Sequence, residues 1–80
     1  AYTRSGVITD EKGNAVAGIR VEAIQSNGKR KFSVTNGAGV YYLEGLQQGE
    51  YQMQINGKSI ASFKLEESSE AFQEFNLKQP

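Results

Sequence analysis

The sequence predicts an all-β chain, folded as a small antiparallel two-sheet β-sandwich of about seven strands in Greek-key order. Three observations carry this. In residues 50–55, Tyr51, Met53 and Ile55 fall on one face while Glu50, Gln52 and Gln54 fall on the other, the period of a half-buried strand. Asn-Gly pairs at Asn27-Gly28, Asn36-Gly37 and Asn56-Gly57 separate alternating segments, and this dipeptide readily supplies the positive φ angles of tight turns. The chain has 80 residues, which leaves room for one domain with one modest core.

The first strand is read at Gly6, Val7 and Ile8, followed by a polar turn over Asp10 to Asn14. A second strand, Ile19 to Ile24, points Ile19, Val21 and Ala23 inward and leaves Arg20 and Glu22 on a solvated face. Lys31 to Thr35 resumes with Phe32 and Val34 on one face. From Gly39 to Ile55 the run GVYYLEGLQQGEYQMQI reads as two strands joined by a short turn into a hairpin, with Tyr41 and Leu43 inward and Tyr42 outward. Ile60 to Leu65 follows, with Ala61, Phe63 and Leu65 on one face, and the last strand is Ala71 to Leu77, with Phe75 and Leu77 inward. A helix over Leu65 to Phe75 is the rival reading there, because Glu and Ala favour helices. The turn spacing predicts antiparallel pairing throughout.

Composition removes several functions. Nine Lys and Arg balance nine Asp and Glu, so no net field draws the chain to nucleic acid or to an acidic membrane surface. Histidine is absent, and with it the usual near-neutral general base and the commonest transition-metal ligand. Cysteine is absent too, which removes disulfides and thiolate chemistry. No apolar run approaches the roughly 20 residues a membrane-spanning helix needs, and the opening AYTRSG carries no signal-peptide core, so the chain is expected to be excised from a larger protein or processed. Lys29, Arg30 and Lys31 read as a solvated hairpin tip, and Glu66, Glu67 and Glu70 lack the alternating spacing of a calcium loop. No catalytic group, cofactor or metal site is expected.

What remains is binding. Neighbours on a strand face opposite sides, so Tyr42 is expected at the surface if Tyr41 enters the core. Ile24 and Phe72 are likewise out of step with the inward positions of their strands. An exposed apolar or aromatic side chain can anchor a partner, so Tyr42, Ile24 and Phe72 are the candidate partner-binding residues.

The order Gly6, Val7, Asp10, Gly13, Gly18, Val21, then Thr35, Gly39, Tyr41, Leu43, Leu46, Gly49 and Tyr51 resembles the carboxypeptidase-regulatory-like and transthyretin-like sandwich families. Within that group the stretch Gly39 to Tyr51, followed by Phe63, Leu65 and a last strand ending at Leu77, looks like the C-terminal periplasmic domain of outer-membrane fimbrial ushers, although many of those carry cysteines here. That resemblance implies a non-catalytic domain on the periplasmic side of the bacterial outer membrane, attached to a β-barrel pore without spanning the membrane itself. Its partners would be periplasmic chaperone-subunit complexes and other usher domains. Two other expectations stand beside it. One is a spacer module of a secreted or surface protein, similar to collagen-adhesin B-type repeats, in which Arg4 replaces the lysine that an internal isopeptide needs. The other is a carbohydrate-binding accessory module, for which only Tyr42 is a clear stacking residue.

Overall fold

The computed structural model describes all 80 residues, as eight strands and no helix. In chain order these are β1 (Tyr2–Thr9), β2 (Arg20–Gln25), β3 (Arg30–Val34), β4 (Val40–Leu46), β5 (Gly49–Ile55), β6 (Lys58–Leu65), β7 (Phe72–Glu74) and β8 (Leu77–Lys78). One sheet has the order β4-β1-β7, with β8 also on β1, and the other has the order β3-β2-β5-β6. The two sheets enclose a single cluster of 11 buried apolar residues. Ile8, Tyr41, Leu43 and Leu46 come from the first sheet, and Val21, Ala23, Tyr51, Met53, Ile55 and Leu65 from the second. The predicted all-β two-sheet sandwich is therefore what forms, with the inward residues of β2 and β5 as read from their alternation.

The hairpin expected between Gly39 and Ile55 does not form. β4 pairs with β1, and β5 pairs with β2 and β6, so the two strands face each other across the core. Two strands with one apolar face each satisfy either arrangement, so alternation alone does not choose between them. Gly45 at φ 73° and Gly49 at φ 144° sit on either side of the passage from one sheet to the other. Tyr51 pins that corner, its hydroxyl donating to the Gln47 carbonyl and accepting from the Gln47 N–H, both at 2.9 Å. The register of β1 with β4 slips between Tyr2 and Arg4, where two steps on β1 answer three on β4. This bulge lets Leu43 and Leu46 both point inward, which strict alternation forbids.

The turns also divide by chemistry. Only Asn56 (φ 49°) followed by Gly57 (φ 83°) gives the paired positive angles of a two-residue hairpin. At the β2–β3 turn, Gly28 alone is positive, at 91°, and Ser26-Asn27-Gly28 form a three-residue loop closed by Gln25 N–H to the Lys29 carbonyl at 2.8 Å. Asn36-Gly37 makes no hairpin, because β3 and β4 lie in different sheets. Asn36 Oδ1 instead accepts from the N–H groups of Ala38 and Val40, at 2.9 and 3.0 Å, and shapes the crossover. After β1, Asp10 Oδ1 accepts from Lys12 and Asn14 N–H, each at 2.9 Å. These bonds, that from the Asn14 backbone foremost, hold the Asp10 carboxyl below its ordinary 3.8. The turn's contribution is present above pH 3.8 and fades as pH falls through the lower folded value.

The C-terminal segment departs most from expectation. Neither the single strand Ala71 to Leu77 nor the rival helix forms; β7 and β8 both run parallel to β1 along its free edge. Residues 66–69 close a turn, with Ser69 N–H on the Glu66 carbonyl and Glu66 N–H on Ser69 Oγ, both at 2.9 Å. Between the two short strands Phe75 leaves the edge and packs against the core, edge-on to Phe63 at 5.7 Å, while Phe63 stacks on Tyr51 at 5.0 Å. Asn76 takes over the vacated pairing, Oδ1 accepting from Val7 N–H at 2.9 Å. The antiparallel rule fails here because the chain returns to β1 from the same end at which β1 begins.

One inward position holds a charge. Arg4 shares the parity of Gly6 and Ile8, is 2% exposed, has no carboxylate within 4.0 Å, and donates one hydrogen bond, 2.8 Å, to the Thr3 carbonyl. A buried cation without a counter-charge costs more to desolvate than a single carbonyl returns. Replacing it by an apolar residue of similar length, Arg4→Met, is therefore expected to stabilise the chain by about 1 kcal/mol, raising Tm by roughly 4–8 °C in thermal unfolding. A lower Tm would mean that the guanidinium is held by more than this contact.

Candidate functional site

The outer face of the β4-β1-β7 sheet gathers two of the three candidate residues. Along β1, Ile8 points to the core, so Thr3, Ser5 and Val7 point outward. Ser5 lies opposite Tyr42 on β4, and Thr3 lies opposite Phe72 on β7. Tyr42 and Phe72 thus flank the central strand, about 12 Å apart by strand spacing and rise. The short side chains of Ser5 and Thr3 form the floor between them. Tyr42 is 50% exposed and Phe72 55%, the outward positions their parity predicts.

Each aromatic is held by its backbone. Tyr42 is forced out because Tyr41 and Leu43 on either side are buried, and its N–H donates to Ser33 Oγ on β3 at 3.0 Å. Phe72 is fixed through its neighbour, as Thr3 N–H donates to the Ala71 carbonyl at 2.7 Å. Because Ala71 and Phe75 turn their backbone groups to β1, those of Phe72 and Glu74 face the free edge. Charge on this side is acidic. Residues 66–80 hold Glu66, Glu67, Glu70 and Glu74 against Lys78 alone, Glu66 pairs with Lys64 at 3.6 Å, and Glu44 lies on β4. Such a face can bury aromatic area and accept hydrogen bonds or cations from a partner.

Ile24 is not part of it. It is half-buried on the outer face of the opposite sheet, across from Arg30 on β3 and Gln52 on β5. There it helps line a shallow concavity with Ser26, Glu50, Gln52, Ser62 and Lys64. The three residues therefore form no single surface.

Sequence reading overlooked a second exposed apolar pair, Phe32 at 57% and Val34 at 51%. The hairpin register sets Phe32 opposite Glu22 and Val34 opposite Arg20, both on the solvated face of β2. A three-residue loop at Ser26-Asn27-Gly28 would have given that register, and with it the outward direction of Phe32. The Arg20 guanidinium lies 4.0 Å over the Phe32 ring, and Glu22 reaches Arg20 at 3.7 Å and Arg30 at 3.4 Å. Residues 20–34 and 49–65, which build this sheet and its turns, hold Arg20, Lys29, Arg30, Lys31, Lys58 and Lys64 against only Glu22 and Glu50. The zero net charge of the chain thus conceals a basic sheet and an acidic C-terminal edge.

Comparison with known proteins agrees with the sandwich. Residues 3–77 match the carboxypeptidase regulatory-like domain family. No curated protein sequence matches the chain. Among solved structures, a variant of BcpA, the major pilin subunit of Bacillus cereus, has a similar fold with TM-score 0.75 and 18% identity, over 96% of this chain and 28% of that longer one.

Proposed function

This chain belongs to the carboxypeptidase regulatory-like domain family, and from that premise we propose that it is a non-catalytic docking module of a fimbrial usher, receiving chaperone-subunit complexes on the periplasmic side of the outer membrane. The observation that carries the docking role is the pairing of Tyr42 and Phe72 on one sheet face over a floor of Ser5 and Thr3. Rigid aromatic side chains at low ordering cost are efficient anchors for a protein partner. The usher assignment draws on the Gly39 to Tyr51 run and the last strand ending near Leu77. A structural spacer in a surface or pilus protein is the second reading, favoured by the fold shared with a pilin subunit.

The two readings separate in one titration. With the isotope-labelled chain and a periplasmic chaperone-subunit complex, amide shifts concentrated at Ser5, Tyr42 and Phe72 are expected, and none with chaperone alone. Tyr42→Ala and Phe72→Ala should each weaken binding about tenfold. Both rings are half-exposed, so neither change should move Tm by more than a few degrees. A folded chain that shows no shifts at high partner concentration would overturn the docking role and favour the spacer reading.

A further inference from the structure

Phe32 and Val34 lie on the sheet that the docking face leaves unused, and a large ring more than half exposed calls for its own account. We propose that the chain associates head to tail with a second copy of itself, the basic aromatic face around Phe32 on one copy seating the acidic aromatic edge around Phe72 on the next.

The two patches complement each other in charge. Phe32 projects between Arg20 and Arg30, and Phe72 shares its strand face with Glu74, with Glu70 two residues before it in the chain. Bringing them together buries both rings and sets guanidinium groups against carboxylates, whereas either patch against its own kind would oppose like charges. On the basic side Arg20 covers the Phe32 ring at 4.0 Å, and Glu22 pairs with Arg20 and Arg30 at 3.7 and 3.4 Å, so two guanidinium groups share one carboxylate and a net positive charge remains.

Placement then sets the symmetry. β3 borders the β4 side of the sandwich, as the bond from Tyr42 N–H to Ser33 Oγ shows, while β7 is at the far side of β1 in the other sheet. The patches stand at diagonally opposite corners, so a partner on one leaves the other free. Contacts between unlike patches do not close on themselves unless the rotation brings them round, and they extend as an open chain. The area of each patch is small, and a contact of this size is weak. It becomes populated at high concentration or when copies are tethered.

Sedimentation velocity of the whole chain tests this. At low salt the mean mass is expected to rise between about 10 μM and 1 mM, and raising ionic strength to about 0.5 M should weaken association about tenfold. Arg30→Glu and Glu74→Lys should each weaken it by a similar factor, as should Phe32→Ala. Mixing the two charge variants restores association, because the intact Glu74 edge of one meets the intact Arg30 face of the other. A wild-type chain that stays monomeric overturns the proposal. So does association that survives both charge variants, or that mixing fails to restore, since the contact would then lie elsewhere or join like patches. Phe32→Ala serves in place of Arg30→Glu if the charge reversal disturbs the fold.

Discussion

Replacing Gly6 with alanine should leave the chain with little or no stable fold. Gly6 lies opposite Tyr41 in the β1–β4 register and points to the core, where the Phe75 backbone crosses directly over it. A methyl group there would overlap the Phe75 carbonyl carbon and oxygen, and backbone cannot swing aside as a flexible side chain can. The C-terminal segment would have to lift off β1, taking with it the bond from Phe75 N–H to the Ser5 carbonyl at 2.7 Å and the packing of Phe75 against Phe63. We expect a loss of roughly 3 kcal/mol or more, against a total of about 3–5 for a domain of this size. Gly13→Ala is the matched control: Gly13 has φ 86° but nothing within 4 Å of an added methyl. It should cost only about 1 kcal/mol, from backbone strain alone. Denaturant unfolding of both variants checks the contrast. If Gly6→Ala were no worse than Gly13→Ala, the parallel C-terminal strands would not be docked on β1.

Tyr41 gives the second large effect, and it depends on pH. Its side chain is fully buried, and its hydroxyl donates to the Phe75 carbonyl at 2.5 Å. Tyr41→Ala removes the ring and is expected to cost about 3–5 kcal/mol; Tyr41→Phe leaves the carbonyl without its donor, for about 1–2. Burial pushes the Tyr41 phenol well above its ordinary 10.0, with the Arg4 guanidinium opposing weakly. The sign follows from proton binding. Above pH 10 the unfolded chain releases this proton while the folded chain keeps it, so stability is intact below pH 10 and is lost as pH rises towards the folded value. The slope is about 1.4 kcal/mol per pH unit. Tyr41→Phe cannot show it, so the stability gap between wild type and Tyr41→Phe should narrow above pH 10. Parallel stability profiles would mean that Tyr41 ionises in the folded chain as freely as in the unfolded one.

The candidate surfaces were legible to the extent that parity alone reaches. Tyr42 could be placed outside because Tyr41 and Leu43 compete for the core, and Phe72 because it is out of step with Phe75 only if β7 continues as a strand. That Ile24 belongs to the opposite sheet, and that Phe32 and Val34 are exposed, required knowing which strands pair. The charge separation was hidden for the same reason, since a composition of nine against nine says nothing about which sheet holds which sign.

Residue order alone determined the strands that alternate and the inward faces of β2, β4 and β5, because these depend on a few neighbouring positions, whereas the rival helix over Leu65 to Phe75 was excluded only by the fold. Partner choice was settled only by the tertiary structure. An alternating strand buries its apolar face equally well beside its neighbour or across from it. The passage between the sheets carries the positive-φ glycines at 45 and 49 and the Tyr51 clasp on Gln47, and the C-terminal return carries the close approach of Phe75 over Gly6. Those are contacts between residues whose meeting depends on the whole chain having folded. The parallel return of β7 and β8 onto β1 joins residues some 70 positions apart, a distance over which local periodicity carries no information.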